Sequence, residues 1–182
     1  MKKVHTGIFR DGGAGAFAKR RYRGRRKELM RKEGRIMAIT GVPYGPGGKT
    51  TWAYAYCPTY QEPAIMYLTG INQSNVILLL DPDSKISDEI LFVDSRDRFM
   101  EFWEGVRFGV GDDQSLKEVR SVTGIQDVRD IREFKDVLKE RLFKQKKKAL
   151  GTLWLEGTRQ GKPCAIKTDH NYDFKKKLEG WL

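Results

Sequence analysis

Cysteine and histidine are scarce in this chain. Cys57 and Cys164 are the only thiols, and His5 and His170 the only imidazoles. Two cysteines so far apart, in a chain expected to be cytoplasmic, read as reduced thiols rather than as a disulfide framework. Cys164 and His170 are near each other, but no second pair completes the four ligands of a structural zinc site. Long apolar runs are missing too: nothing approaches the roughly 18–20 residues that a membrane span requires. The N-terminus has no apolar stretch of signal-peptide type, so a cytoplasmic location and no membrane partner are expected. No catalytic set is marked out either. A hydrolytic metal site needs several carboxylates, usually with histidine, in one pocket. Asp81, Asp83 and Asp88 instead fall between two apolar runs, as a solvated turn would, and Asp112 and Asp113 follow Gly111 in a loop-like setting. Nothing marks a Ser–His or Cys–His nucleophile pair. No catalytic residue and no metal ligand is therefore assigned in this chain.

Negative charge is what the N-terminal part lacks. The net charge is +11, and residues 1–50 carry 14 Lys/Arg against 3 Asp/Glu, whereas residues 51–182 carry 21 of each. The body is neutral and the opening segment holds the whole excess. A solvated basic helix face explains such a run most simply. An interaction patch for an acidic partner, phosphate or nucleic acid is the sharper alternative. Little aromatic interleaving beyond Tyr22 weighs against single-stranded nucleic acid.

Two glycine-rich stretches imitate nucleotide-binding motifs. Gly13 opens G-A-G-A-F-A, but the dinucleotide fingerprint needs a strand before it, and V-H-T-G-I-F-R-D is a poor one. G-P-G-G-K-T-T invites a P-loop assignment. The glycine that Lys49 would need in that motif falls at Pro43, however, and Gly41 is two residues too early. No nucleotide cofactor is expected.

The apolar pattern organises the rest. With 182 residues, 39% apolar and 32% charged, the chain suits one soluble domain with a sizeable core. Residues 76–80 form an unbroken apolar run ending at Asp81-Pro82, which predicts a strand buried on both faces. Residues 90–93 form a second, joined to it by the polar 81–88 turn, so the two are expected to pair antiparallel. Residues 1–15 read as a loose segment. A helix is predicted over 16–33, with Phe17, Tyr22, Leu29 and Met30 on its partial apolar face and Gly34 as C-cap. A strand is predicted over 35–40, a turn-rich stretch over 41–63, and a strand-to-turn passage at Tyr67 to Gly70. Short helices follow at 98–104, ending at Gly105, and at 115–123, ending at Gly124. A strong helix spans 130–148, with Ile131, Phe134, Leu138 and Leu142 in register and Asp130 and Glu133 as a capping box. The chain closes with a strand at 153–155, a turn at 159–162 and a helix at 173–182. Alternating strands and helices around an antiparallel pair predict an α/β domain, a mixed sheet flanked by helices in three layers.

Four segments carry a resemblance. Y-L-T-G-I-N from Tyr67, the apolar strand ending in Asp81, L-F-V-x-x-R-D from Leu91 and W-E-G-V-R-F-G from Trp103 resemble, in order and spacing, the N-terminal domain of Xaa-Pro aminopeptidase (aminopeptidase P), shared more loosely with prolidase and creatinase. Gln61-Glu62 stands where that family tends to have Gln-Asp. The resemblance spans roughly residues 16–182. It departs from the family at Ile65-Met66, where an aromatic pair is common, and in the glycine-rich 41–63 stretch. It implies a creatinase-type N-terminal domain that precedes a pita-bread catalytic domain absent from this chain. That domain would hold two divalent metals, commonly manganese, on two Asp, one His and two Glu. The implied role is to help assemble a homo-oligomer and to wall the substrate entrance, admitting short Xaa-Pro peptides. The implied partners are the catalytic domain of the same polypeptide and neighbouring subunits. Arg107, Tyr67 and Trp103 are the candidate substrate- or partner-facing residues. Thr69, Gly70, Gly105 and Gly109 are read as structural. A stand-alone protein-interaction module is the alternative, and a nucleic-acid-binding protein the weaker one.

Overall fold

The structure, a computed structural model, describes residues 15–41, 62–71, 73–104, 107–144, 154–155, 177 and 180–181. Among the described residues its spine is a five-stranded mixed sheet in the order β4-β3-β2-β1-β5. β1 (Met37–Thr40), β2 (Ile77–Leu80) and β3 (Glu89–Val93) form the antiparallel centre. β4 (Asp127–Asp130) and β5 (Trp154–Leu155) add parallel edges to β3 and β1. The expected β2–β3 pair is present, with Leu78 opposite Leu91 and Leu79 opposite Ile90.

The unbroken apolar runs are explained by layers on both faces. Met37, Ile39, Leu78, Leu80, Leu91 and Val93 point to one side. There they meet Met30 of α1 (Gly15–Glu33), Ile65 and Leu68 of α2 (Pro63–Thr69) and Val119 of α4 (Asp113–Thr123). Ala38, Ile77, Leu79, Ile90 and Phe92 point to the other side, against Phe134, Val137, Leu138 and Leu142 of α5 (Phe134–Lys144) and against Trp181. Phe92 and Phe134 meet edge to face at 5.2 Å, an arrangement aromatic quadrupoles favour. α3 (Arg98–Glu104) is a short helix whose described side chains belong to neither cluster. Among the described residues, no helix is long and apolar enough to cross a membrane.

Four expectations need correction. Tyr67 to Gly70 is not a strand-to-turn passage but the end of helix α2, begun by a proline in its first turn and closed by Gly70 at φ 75°. Seven residues with apolar neighbours on all sides give too short a period to betray a helix. The 130–148 helix starts later, at Phe134, after a 3-10 turn over Ile131–Glu133. The residues just before that turn are edge strand β4, and Asp130 caps the turn through Arg132 N–H at 2.9 Å rather than forming a capping box with Glu133. Strand β1 starts at Met37 rather than at 35. Helix α4 starts at Asp113 rather than at 115, capped by Asp112. Residues 1–14, most of 41–63, the 159–162 turn and the Phe17 side chain lie outside the described residues. So does most of the 173–182 helix, of which Lys177, Gly180 and Trp181 are described as helical.

Candidate functional site

The two segments singled out in the sequence meet at one end of the sheet. β3 and β4 run parallel and end at Val93 and Asp130. The chain leaving β3 is bridged at Ser95 to Val110, with Arg96 N–H donating to the Val110 carbonyl at 3.1 Å and Val110 N–H to the Asp94 carbonyl at 3.0 Å. Gln73, just beyond the Thr69-Gly70-Ile71 turn, then acts as a one-residue strand. Its amide nitrogen donates to the Phe108 carbonyl at 2.8 Å, and its oxygen accepts from Phe108 N–H at 2.9 Å. This amide clasp ties the first segment to the Arg107–Gly109 stretch across 35 residues of sequence. Asn75, at φ 62°, donates to the Asp94 carboxylate at 2.7 Å beside it.

Thr69 and Gly70 close α2 by a device used twice. The Thr69 hydroxyl donates to the Ile65 carbonyl at 2.7 Å and accepts from Ile71 N–H at 3.1 Å. Gly70 caps α2 through its N–H on the Met66 carbonyl. α4 ends identically: Thr123 donates to the Val119 carbonyl at 2.9 Å, Ile125 N–H donates to Thr123, and Gly124 takes φ 78°. The repeated Thr-Gly-Ile was a visible signal that both helices stop the same way. Both glycines also admit α1 at close range. A Cβ at Gly70 would lie 2.6 Å from the Tyr22 ring, and one at Gly124 would lie 2.9 Å from the Lys19 stem.

Tyr67 is 57% exposed on the last turn of α2. Arg25 lies over its ring at 4.0 Å and donates to its carbonyl at 2.8 Å, a cation–π contact that fixes the ring at the surface. Arg107 is half-buried in the strand-like segment after α3. Trp103 is in the final turn of α3, but its side chain, like Gly105, lies outside the described residues. Gly109 is buried and donates to the Ser115 hydroxyl at 2.9 Å. A Cβ there would come within 2.8 Å of the Asp94 carbonyl oxygen, so only glycine allows the two backbones to approach.

The side chain that sequence reasoning missed outright is Arg26. It is fully buried in the middle of the basic helix. It donates to the Leu68 carbonyl at 2.7 Å and to Glu89 at 2.9 Å, joining α1, α2 and β3. A charge in a basic run gives no hint that it faces inward.

Three carboxylates around this end, Glu101, Asp112 and Asp130, are held by arginines, whereas Asp94 takes Asn75 on one oxygen and keeps its buried Oδ2 without a hydrogen bond among the described residues. Arg96 binds Glu101 and Asp112 together. The Glu101 hydrogen bond, more than Asp112, holds the guanidinium protonated well above the ordinary arginine range. Asp112 also caps α4; burial works against its charge, but Arg96 and the Gln114 and Ser115 N–H groups leave it below the usual carboxylate range. The Asp130 carboxylate takes two bonds from Arg132, at 2.8 and 2.7 Å, and one from the Ser95 hydroxyl. Arg132 first, with Ser95 in support, holds it far below the ordinary range despite burial. A carboxyl depressed in this way stabilises the fold above its unfolded pKa and loses that contribution as pH falls through the folded one. Wild-type stability should therefore drop from about pH 4 downward more steeply than that of Asp130→Asn. Urea unfolding at a series of pH values checks this, and parallel profiles would show that the contact contributes nothing. Ionised, paired carboxylates of this kind organise loops and are poorly placed to shuttle protons near neutral pH. Among the described residues, no three His, Cys, Asp or Glu side chains are grouped to hold a metal ion.

This clasped arrangement coincides with a family. The family model for the aminopeptidase P N-terminal domain matches residues 22–150. The chain belongs to the aminopeptidase P N-terminal domain family. Over 96 residues it is 34% identical to intermediate cleaving peptidase 55 of Saccharomyces cerevisiae, covering 51% of this chain and 18% of that protein. Over 53 residues it is 40% identical to Xaa-Pro aminopeptidase of Haemophilus influenzae, covering 29% of this chain and 12% of that protein. Among solved structures, Pseudomonas aeruginosa aminopeptidase PepP superposes with a TM-score of 0.60 at 20% identity, over 100% of this chain and 33% of its own. The zinc-substituted Escherichia coli aminopeptidase P in complex with product gives 0.53 at 22% identity, over 68% and 27%. This domain thus spans under a fifth of its curated relatives and about a third of its solved ones. The α/β fold with a mixed sheet is that of the family.

Proposed function

We propose that this domain is the non-catalytic N-terminal part of a Xaa-Pro aminopeptidase, whose whole polypeptide releases an N-terminal residue preceding proline. The observation that carries this is the family match from α1 through α5, over a fold in which Glu101, Asp112 and Asp130 near the Arg107 segment are already paired with arginines. Two divalent metals, with manganese the first to test, would belong to a catalytic portion, where they would lower the pKa of a bound water. The described residues offer them no fitting donor set.

The role proposed for the domain itself is steric and recognitive. The Gln73–Phe108 clasp and the Arg96 pairs hold the Arg107 segment rigidly at one sheet end. From there it can wall an entrance that admits short peptides and excludes folded chains, in a cytoplasmic homo-oligomer. Arg107 supplies a planar donor for a peptide carbonyl or carboxylate. In a polypeptide carrying the catalytic portion, Arg107→Ala should raise KM for a short Xaa-Pro peptide about tenfold, with kcat little changed, as loss of one charged hydrogen bond would. Unchanged KM would remove Arg107 from this role, and a fall confined to kcat would assign it elsewhere.

A further inference from the structure

The surplus positive charge is sorted by the fold, and the sorting leaves a ridge. α1 has no acidic residue before Glu28. Arg26 goes into the core and Arg25 to Tyr67, while Arg31 and Lys32 pair with Glu28. Arg20, Arg23 and Lys27 are exposed and make no ion pair or hydrogen bond among the described residues. Lys19, Arg23 and Lys27 follow at four-residue steps, so they align on one helix face about 12 Å long, with Arg20 beside them. Like charges at that spacing repel. The ridge works against the helix that bears it.

Alongside the ridge runs an open groove of about 470 Å³. Lys19, Arg20 and Arg23 form one wall, and Ile86, Asp88 and Asp127 belong to the other. It lies where β3 and β4 begin, so it is at the opposite end of the sheet from Arg107 and Gly109. The far wall has a different character. Asp88 is exposed, whereas Asp127 is paired with Arg129 at 2.8 Å; burial is the largest single influence against its charge, and Arg129, with Ser87 and Arg141, outweighs it. Ile86 is 89% exposed. A uniform polyanion such as a phosphate backbone would meet the Asp88 carboxylate, which has no ion pair among the described residues. A polypeptide that is acidic on one side and aliphatic on the other would satisfy both walls. We propose that this groove docks an acidic polypeptide segment of a partner protein, its carboxylates against Arg20, Arg23 and Lys27 and an aliphatic side chain over Ile86. The proposal does not depend on the peptidase reading.

The test is fluorescence anisotropy on the 182-residue chain with a labelled 15-residue Glu/Leu peptide, its Glu/Ser counterpart and a DNA duplex of equal net charge. The Glu/Leu peptide should bind best. The triple variant R20E/R23E/K27E should weaken it about tenfold or more, as loss of a complementary charged patch does. Ile86→Ser should weaken Glu/Leu but not Glu/Ser binding, and Asp88→Lys should shift preference toward DNA. All these positions are exposed, so thermal unfolding should stay near wild type and report any misfolded variant. Absence of peptide binding, equal binding by the triple variant, or tighter binding of DNA than of peptide by the wild type would each overturn the proposal.

Discussion

Arg26→Ala should destabilise the domain by about 3–5 kcal/mol, the usual effect of removing one partner from a buried ion pair. Arg26 is fully buried, and its removal strands Glu89 and leaves the Leu68 carbonyl without its donor. The pair itself is not an optimal one: Arg26 Nε and Glu89 Oε1 are buried without a partner among the described residues. An apolar replacement of both groups should therefore do better than either single change. Arg26→Met with Glu89→Leu is expected to recover more than half of the loss, since no charge is then left stranded. Urea unfolding of the two single variants and the double variant forms a cycle that measures the coupling. Additive losses would mean that the two side chains do not act as a pair. At this chain length a loss of about 4 kcal/mol corresponds to a drop in Tm on the order of 10 °C.

Gly109→Ala is the second large effect expected. The added methyl would sit 2.8 Å from the Asp94 carbonyl oxygen and 3.0 Å from the Arg96 nitrogen, both backbone atoms. Backbone cannot rotate away as a side-chain tip can, so the 94–96 and 109–110 segments must separate. That strains the Val110-to-Asp94 and Arg96-to-Val110 hydrogen bonds and the contact with Ser115. A loss of about 2–3 kcal/mol is expected, as for overpacking of a tight site. Gly24→Ala is the matched control. Nothing lies within 4 Å of a Cβ there, and alanine within an exposed helix should add roughly 0.5–1 kcal/mol. Chemical denaturation of both variants decides it. A Gly109 variant as stable as the Gly24 one would remove the close-approach argument, and with it the reason for glycine beside Arg107.

What could be read in advance follows from how each element earns its place. β2 and β3 announce themselves because both faces are buried and nearly every residue is apolar. The turn between them is solvated at Asp83, Lys85 and Asp88, but Asp81, expected in the solvated turn, is buried against Arg141 at 3.6 Å. β4 hides because it is an edge: Asp127, Arg129 and Asp130 spend their charges on salt bridges around a single apolar residue, Val128. α2 hides because seven residues of mostly apolar character show no period, although Pro63 and the Thr-Gly-Ile ending mark both its limits. Gln73 and Arg26 were beyond reach for another reason. Each acts on a backbone carbonyl 35 or 42 positions away, and no local pattern encodes such a partner. The candidate residues divided likewise. Thr69 and Gly70 are placed by local backbone demands that a sequence displays, while Gly109, pressed against the Asp94 and Arg96 backbone, and the Gln73 clasp answer to tertiary ones.

The most direct measurement is amino-acid release from a short Xaa-Pro peptide by the purified 182-residue chain, with manganese supplied, beside a polypeptide that carries the family's metal-binding portion. The account predicts release by the longer polypeptide and none above blank by this chain. Sustained, stoichiometrically significant release by the pure chain would place the chemistry among these residues and contradict it.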